Sequence, residues 1–442
     1  MARRPSVSPA APWRFPQPRP SRLANGVAVD LFDLPGQRVV TASVLVDAPL
    51  AGEPRPHEGV AALAMRACDE GTLTHPGADL TDALEGCGAV TANAGAGLDG
   101  ATLTVEAPAT RLAEALPLVA ELLTEPAFAA DDVARLVQDR LLGIAVGEVS
   151  PPVRATKALH ALLGDHRWAR PFGGDAESVA GLTPGIVRAW HSLAVRPDRT
   201  RLLVAGELPA GIEHVIDAHF GAWRHVGDAP VEPVPPPVHM TPQVVVVDRP
   251  DAAQVSLRIG AVTPTRTHAD WPALQVANAV VGAMFGSRLN GLLREERGLT
   301  YGAGSGLSAA RRDALFVAQA ECAPEAAAEA TRLALDVLDV AAAPITTKEA
   351  RDAIAFITAA TPLRLATADA VAAQAANFAL GGVGYDWFNG YMEAVAGVSA
   401  DEATRAFARW IQPDGVGVAL CGPATTLVPR LRAAGLSAEV VG

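Results

Sequence analysis

Two nine-residue stretches decide how this chain is to be folded: TANAGAGLD, Thr91 to Asp99, and TYGAGSGLS, Thr300 to Ser308. They share Thr, Ala, Gly, Gly and Leu at five of nine positions. Each follows a stretch of helical character, 57 to 70 in one case and 271 to 297 in the other, and each runs on into a strand-like segment, ATLTVEAP or ALFVAQAECAP. An Ala/Leu-rich amphipathic helix comes next in both copies, RLAEALPLVAELL and AAAEATRLALDVLDV. Upstream the parallel holds. VAVDLFDLPGQRVVTASVLVDA reads as a strand, a turn at Asp33-Leu34-Pro35, and a strand alternating at Val40, Ala42, Val44 and Val46. QVVVVDRPDAAQVSLRIGAV repeats it with Asp248-Arg249-Pro250 and then Val255, Leu257 and Ile259. The pattern is one α/β unit duplicated in tandem.

Between the copies lies HVGDAPVEPVPPPVHMTPQ, His225 to Gln243, whose six prolines forbid a continuous helix or central strand. Such a run is an extended, semi-rigid tether. The sequence therefore divides into a loose N-terminal arm (1–22), a first domain (23–225), the Pro-rich linker (226–243) and a second domain (244–442). Hairpins interleave with helices, without regular β-α-β alternation and without G-x-G-x-x-G, so the expected class is α+β: an antiparallel or mixed sheet covered by helices in each domain, the two arranged as a clam. The stretches 109 to 145, 153 to 195 and 347 to 409 read as mostly helical.

Length and composition agree with two globular domains: 442 residues, half of them hydrophobic. A net charge of −12 repels polyanions, so nucleic acid is not an expected partner. Cys68, Cys87, Cys322 and Cys421 are scattered and form no C-x-x-C pair, which argues against a disulfide framework and a thiolate metal site and for a reducing compartment. Prolines interrupt the first 22 residues where a signal peptide needs an apolar run of about 7 to 15. No window reaches the roughly 18 apolar residues of a membrane span. The expected location is the cytoplasm, with no membrane partner.

Three segments carry more: GVAALAMRACDEGT (Gly59 to Thr72), GDHRWARPFGGDAESVAGLT (Gly164 to Thr183) and SRLNGLLREERGLTYG (Ser287 to Gly302). In this order they resemble the pitrilysin/insulinase-type zinc metallopeptidases, in particular bacterial members similar to the mitochondrial processing peptidase. The resemblance covers nearly the whole chain after about residue 22. Active members carry H-x-x-E-H on the first long helix, where two His at i and i+4 share one face to hold zinc and the Glu activates a metal-bound water. Counted from Gly71-Thr72, those positions hold Ala62, Met65 and Arg66. The segment 135–143, where the family's third ligand falls, contains Asp139 but no Glu. An alkyl stub, a thioether and a permanent cation cannot hold Zn²⁺. Elsewhere none of the ten His has a ligand spacing: His57 and Glu58 precede the helix, and His214 and His219 stand at i and i+5. No metal is expected on this chain.

The resemblance implies a different role for the second repeat. In the family an Arg and a Tyr seven residues apart reach the substrate; here they are Arg294 and Tyr301, with Gly298 placed to cap the helix between them. A guanidinium and a phenol can donate hydrogen bonds to the carbonyl under attack and to its oxyanion. Asn278, Ser287, Arg288 and Asn290 lead up to this pair; they fit either a lining of the chamber or exposed polar positions, and read as the latter. A chain with the donors and without the metal looks like the non-catalytic partner in a heterodimeric zinc endopeptidase, its zinc held by a homologous subunit with an intact H-x-x-E-H. The implied substrate is an extended peptide that adds to a sheet edge. The Gly-rich repeats fit either close approach of that peptide or bulged strands packed under a helix. A scaffold or peptide-binding protein without proteolytic role is the alternative, and an independent peptidase with a rearranged metal site a third.

Overall fold

Why the chain builds two sheets is visible in its alternation. In β3 (Val39–Val46), Val40, Ala42, Val44 and Val46 enter one core while Leu45 enters another, as a strand buried on both faces must. The computed structural model describes residues 13–225, 240–241 and 243–442; the expected tether at 226–239 and residues 1–12 of the arm lie outside the described residues. The first sheet contains β1 (Arg19–Arg22), β2 (Ala28–Asp33), β3, β4 (Val90–Ala96), β5 (Ala101–Pro108) and β6 (Thr200–Gly206), in the order β1-β2-β6-β3-β5-β4. The second contains β7 (Val244–Asp248), β8 (Val255–Thr263), β9 (Thr300–Ala309), β10 (Ala314–Cys322), β11 (Gly417–Gly422) and β12 (Ala438–Val441), in the order β12-β7-β11-β8-β10-β9. Five strands match in order, β2-β6-β3-β5-β4 with β7-β11-β8-β10-β9; the sixth differs, β1 joining β2 antiparallel and β12 joining β7 parallel. β2 runs parallel to β6 and β7 parallel to β11, and their neighbours towards β4 and β9 are antiparallel, so both sheets are mixed.

The helices that position the site are α1 (Val60–Ala67), α2 (Ala130–Glu148), α3 (Pro151–Ala161), α4 (Trp271–Asn278), α5 (Ala368–Leu380) and α6 (Trp387–Ala396). α1 and α2 pack on the Val40-Val44 face of the first sheet, and α4 packs on the Leu257-Ile259 face of the second. Each sheet's other face is covered from the opposite half. Phe32, Leu45 and Leu203 lie under Val371, Ala375 and Phe378 of α5, while Val245 and Ala419 lie under Leu159 of α3. The halves are thus interlocked by exchanged helices as well as joined in sequence.

The arm expected to be loose over 1–22 is seated from Trp13 onward. Phe15 is fully buried against Phe32, Phe378 and Phe388, and β1 pairs with β2. Aromatic burial of this kind stabilises by about 2–3 kcal/mol per ring, and no local sequence pattern announces it. The stretch 153–195 is mostly helical as expected, but Gly164 (φ 58°) and Gly174 (φ 73°) open a loop within it from which Arg167 and Trp168 reach the second half. There the tips of the two hairpins meet. Arg167 pairs with Asp99 at 2.8 Å and Asp313 at 3.1 Å, and the Arg311 backbone N–H donates to Asp99 at 2.7 Å. Burial pushes the Asp313 carboxyl up, but the His166 ring, the Arg167 charge and the Trp168 N–H together hold it down at about 2.

Candidate functional site

α1 begins at Gly59, whose φ of 91° lies in the left-handed region and whose missing side chain admits the Gly173 carbonyl. The Gly59 N–H donates to the Glu53 carboxylate at 2.7 Å, which caps the helix. Arg170 braces this start: Nε donates to Glu58 at 2.6 Å and Nη2 to the Glu53 carbonyl at 2.7 Å. Burial lifts the Glu53 carboxyl to about 7, against the lowering effects of the Gly59 N–H and the Arg170 charge. The helix that the resemblance would make a metal helix is therefore firmly framed.

Its chemistry is absent. Ala62 is half-buried, Met65 is fully buried in the core, and Arg66 is exposed. Met65 is a packing residue, so the three positions do not share one solvent-facing stripe. Asp139 on α2 is 64% exposed and lies 3.5 Å from Arg135, which also bonds Glu70. Asp69 receives the Thr91 hydroxyl at 2.5 Å; burial raises its carboxyl despite that bond and the Arg66 charge. Among the described residues no three of His, Cys, Asp or Glu gather as a metal would need. The donor set does not fit zinc.

The second half presents the reverse. Beyond α4 the chain continues in two wide π-type turns, Ala279–Ala283 and Gly291–Glu296, a geometry that often marks functional sites. Gly298, with φ 63°, ends the helix: its N–H closes onto the Arg294 carbonyl at 3.1 Å, so the turn delivers Tyr301 to the start of β9. β9 is an edge strand, and the register slips between Ala320 and Cys322 opposite Tyr301, which makes a bulge there. The Tyr301 side chain is 90% exposed. The Arg294 side chain is 40% exposed, 3.3 Å from Glu295, with its guanidinium 5.1 Å from the Phe285 ring centroid. Among the described residues, no hydrogen bond or ion pair links Arg294 or Tyr301 to the 62–66 segment.

Phe285, 74% exposed beneath that guanidinium, is a site residue that sequence reasoning missed; a large apolar residue just before Gly286 was the available signal. The four polar residues read as exposed are instead structural. Asn278, Ser287 and Asn290 are 3%, 1% and 5% exposed. Asn278 accepts from Ser305 at 2.7 Å, Asn290 donates to the Phe285 carbonyl at 2.8 Å and accepts from the Ala303 N–H, and Ser287 caps the turn. Arg288 grips both oxygens of Glu349 at 2.7 and 2.8 Å, holding that carboxyl at about 2. Together they fix β9 and the Arg294 turn as a rigid unit.

β4 is the edge of the first sheet as β9 is of the second, and it too carries a bulge, between Thr91 and Asn93. Both Gly-rich repeats are therefore bulged edge strands with unpaired backbone groups on one side.

Residues 29–166 match the family described as "Insulinase (Peptidase family M16)", and residues 181–357 match "Peptidase M16 inactive domain". A Mycobacterium tuberculosis protein named as an uncharacterized zinc protease is 30% identical over 339 residues, 76% of this chain and 77% of that one. In fold the chain is similar to the crystal structure of a peptidase M16 inactive domain from Pseudomonas fluorescens, with a TM-score of 0.84 at 23% identity over 92% of this chain and 98% of that one. It is also similar to a protease from Helicobacter pylori, with a TM-score of 0.83 at 18% identity over 92% of this chain and 100% of that one.

Proposed function

The chain belongs to the insulinase (M16) peptidase family, and from that premise we propose that it is the non-catalytic partner subunit of a heterodimeric zinc endopeptidase. The zinc, its H-x-x-E-H helix and the activated water belong to a homologous subunit. Arg294 and Tyr301 of this chain complete the composite site by donating to the carbonyl of the bond under attack, and so stabilise the charge that develops there. An extended peptide is the substrate, held by backbone hydrogen bonds along a free sheet edge.

One observation carries the reading. Tyr301 is 90% exposed beside Arg294 on a turn whose supporting residues are buried and bonded, so a rigid scaffold holds out two donors that bond nothing in the chain's own metal-less helix. The loss of ligands at 62, 65 and 66 supports it from the other side. Four free, buried cysteines suit a reducing compartment, which favours the cytoplasm.

The test is co-expression with a zinc-bearing homologue and measurement of peptide cleavage. Arg294→Ala is expected to lower kcat by roughly 100-fold and Tyr301→Phe by about tenfold or more, as for the removal of oxyanion donors. A mixed enzyme indifferent to both substitutions would leave the scaffold reading in possession.

A further inference from the structure

The five matching strands reveal one place where the halves do not match. Arg258 on β8 stands opposite Gln319 on β10; in the same place of the first sheet, counted from Gly422 and Gly206, Ser43 on β3 stands opposite Thr104 on β5, while Thr41 and Glu106 take the places of Ser256 and Glu321. Arg258 is 6% exposed, and its guanidinium donates to Glu321 at 2.9 Å, to the Leu257 carbonyl at 2.8 Å and to Thr156 Oγ1 of α3 at 3.4 Å. A buried cation thus closes the space between the second sheet and its covering helix. In the first half no cation arrives. Thr41 is 2% exposed, and its hydroxyl has no hydrogen-bond partner. Glu106 makes no side-chain hydrogen bond or ion pair among the described residues.

What takes the place of that arginine is a cavity of about 780 Å³, lined by Thr41, Glu106, Ser43, Thr104, Asp369 and Phe172 among others. It exists because α5 covers β2, β6 and β3 with apolar residues and leaves the β5-β4 face, with Thr102, Thr104 and Glu106, uncovered. No Lys, Arg or His lines it among the described residues, and Asp99, its third carboxylate, is already paired with Arg167. An orphaned buried acceptor and an unpaired carboxylate in one recess are complementary to a cation with several N–H donors.

We infer that this cavity is a subsite for an alkylguanidinium or alkylammonium group. The group pairs with Glu106 and donates to Thr41 Oγ1, as Arg258 does with Glu321 and Thr156. Its carrier is a basic side chain of an extended peptide lying along β4. Asn93 and Gly95 of that edge line the cavity, so alternate residues of an added strand face it. The carrier rests on the edge-addition reading above; the cation site does not.

Calorimetric titration of the full chain separates the two. The probes are agmatine, a free alkylguanidinium, and two end-capped nonapeptides that differ only in a central Arg or Gln. Expected is saturable agmatine binding and an Arg peptide bound roughly tenfold more tightly than its Gln counterpart. Both preferences should vanish in Glu106→Gln, which keeps the shape, and in Ser43→Arg, which installs the second half's own cation; thermal unfolding confirms that each variant folds, and Glu106→Gln suffices if the other does not. Agmatine binding that depends on Glu106 while neither peptide binds keeps the site and removes the edge-addition reading. Equal binding of the two peptides without agmatine binding removes the site, and so does agmatine binding undiminished by Glu106→Gln.

Discussion

In the first half, α1 is a short helix of small and apolar residues sealed against its sheet, its start clamped by Glu53 and Arg170. In the second half, the stretch after α4 is widened by two π-type turns and ends in an exposed Arg and Tyr. Five strands of the two sheets correspond, yet one corner is closed and the other open to solvent. Two exposed donors on a braced turn are what packing alone does not produce.

The comparison can be broken most sharply at the two glycines that open and close these corners. Gly59→Ala brings a Cβ within 2.6 Å of the Gly173 carbonyl at a φ of 91°. It is expected to destabilise by about 4 kcal/mol or more, read as a large fall in the urea midpoint. Gly298→Ala, at φ 63° with nothing within 4 Å, should cost only about 1 kcal/mol, the smallest effect in this series.

Between these extremes lies the cap of α1. The folded Glu53 carboxyl ionises near 7 against an ordinary value of 4.5, so its contribution is fully present below pH 4.5 and is lost as pH rises to about 7. Wild type should lose up to about 3 kcal/mol across that interval, and Glu53→Gln should lack this slope when denaturant unfolding is compared at pH 5 and pH 8. A smaller effect is expected at the hairpin tips. Asp313→Asn leaves the buried Arg167 paired with Asp99 alone and should cost about 2 kcal/mol, with the difference from wild type fading only as pH falls towards 2, where Asp313 takes up its proton.

Much of this was legible in the chain itself. The strand alternation at Val40 to Val46 and at Val255 to Ile259 placed the core faces, and the repeated Gly-rich segments proved to be corresponding edge strands. The Arg294-Gly298-Tyr301 turn was equally plain, because local spacing encodes it. What periodicity could not carry were pairings between distant segments. The seat of Phe15 against Phe378, the exchange of α3 and α5 between sheets, and the burial of Asn278 and Asn290 behind β9 all depend on which surface meets which. The Thr41-Glu106 recess was hidden for the same reason, since it is recognisable only once Arg258 is seen filling its counterpart.

The composite-site account is tested most directly by measuring the zinc content and peptide-hydrolysis rate of the purified chain, first alone and then titrated with a zinc-bearing homologue. The account predicts no stoichiometric zinc and no hydrolysis by the chain alone, with activity rising to saturation at one equivalent of partner. One zinc per chain, together with cleavage by the unaided protein, would contradict it.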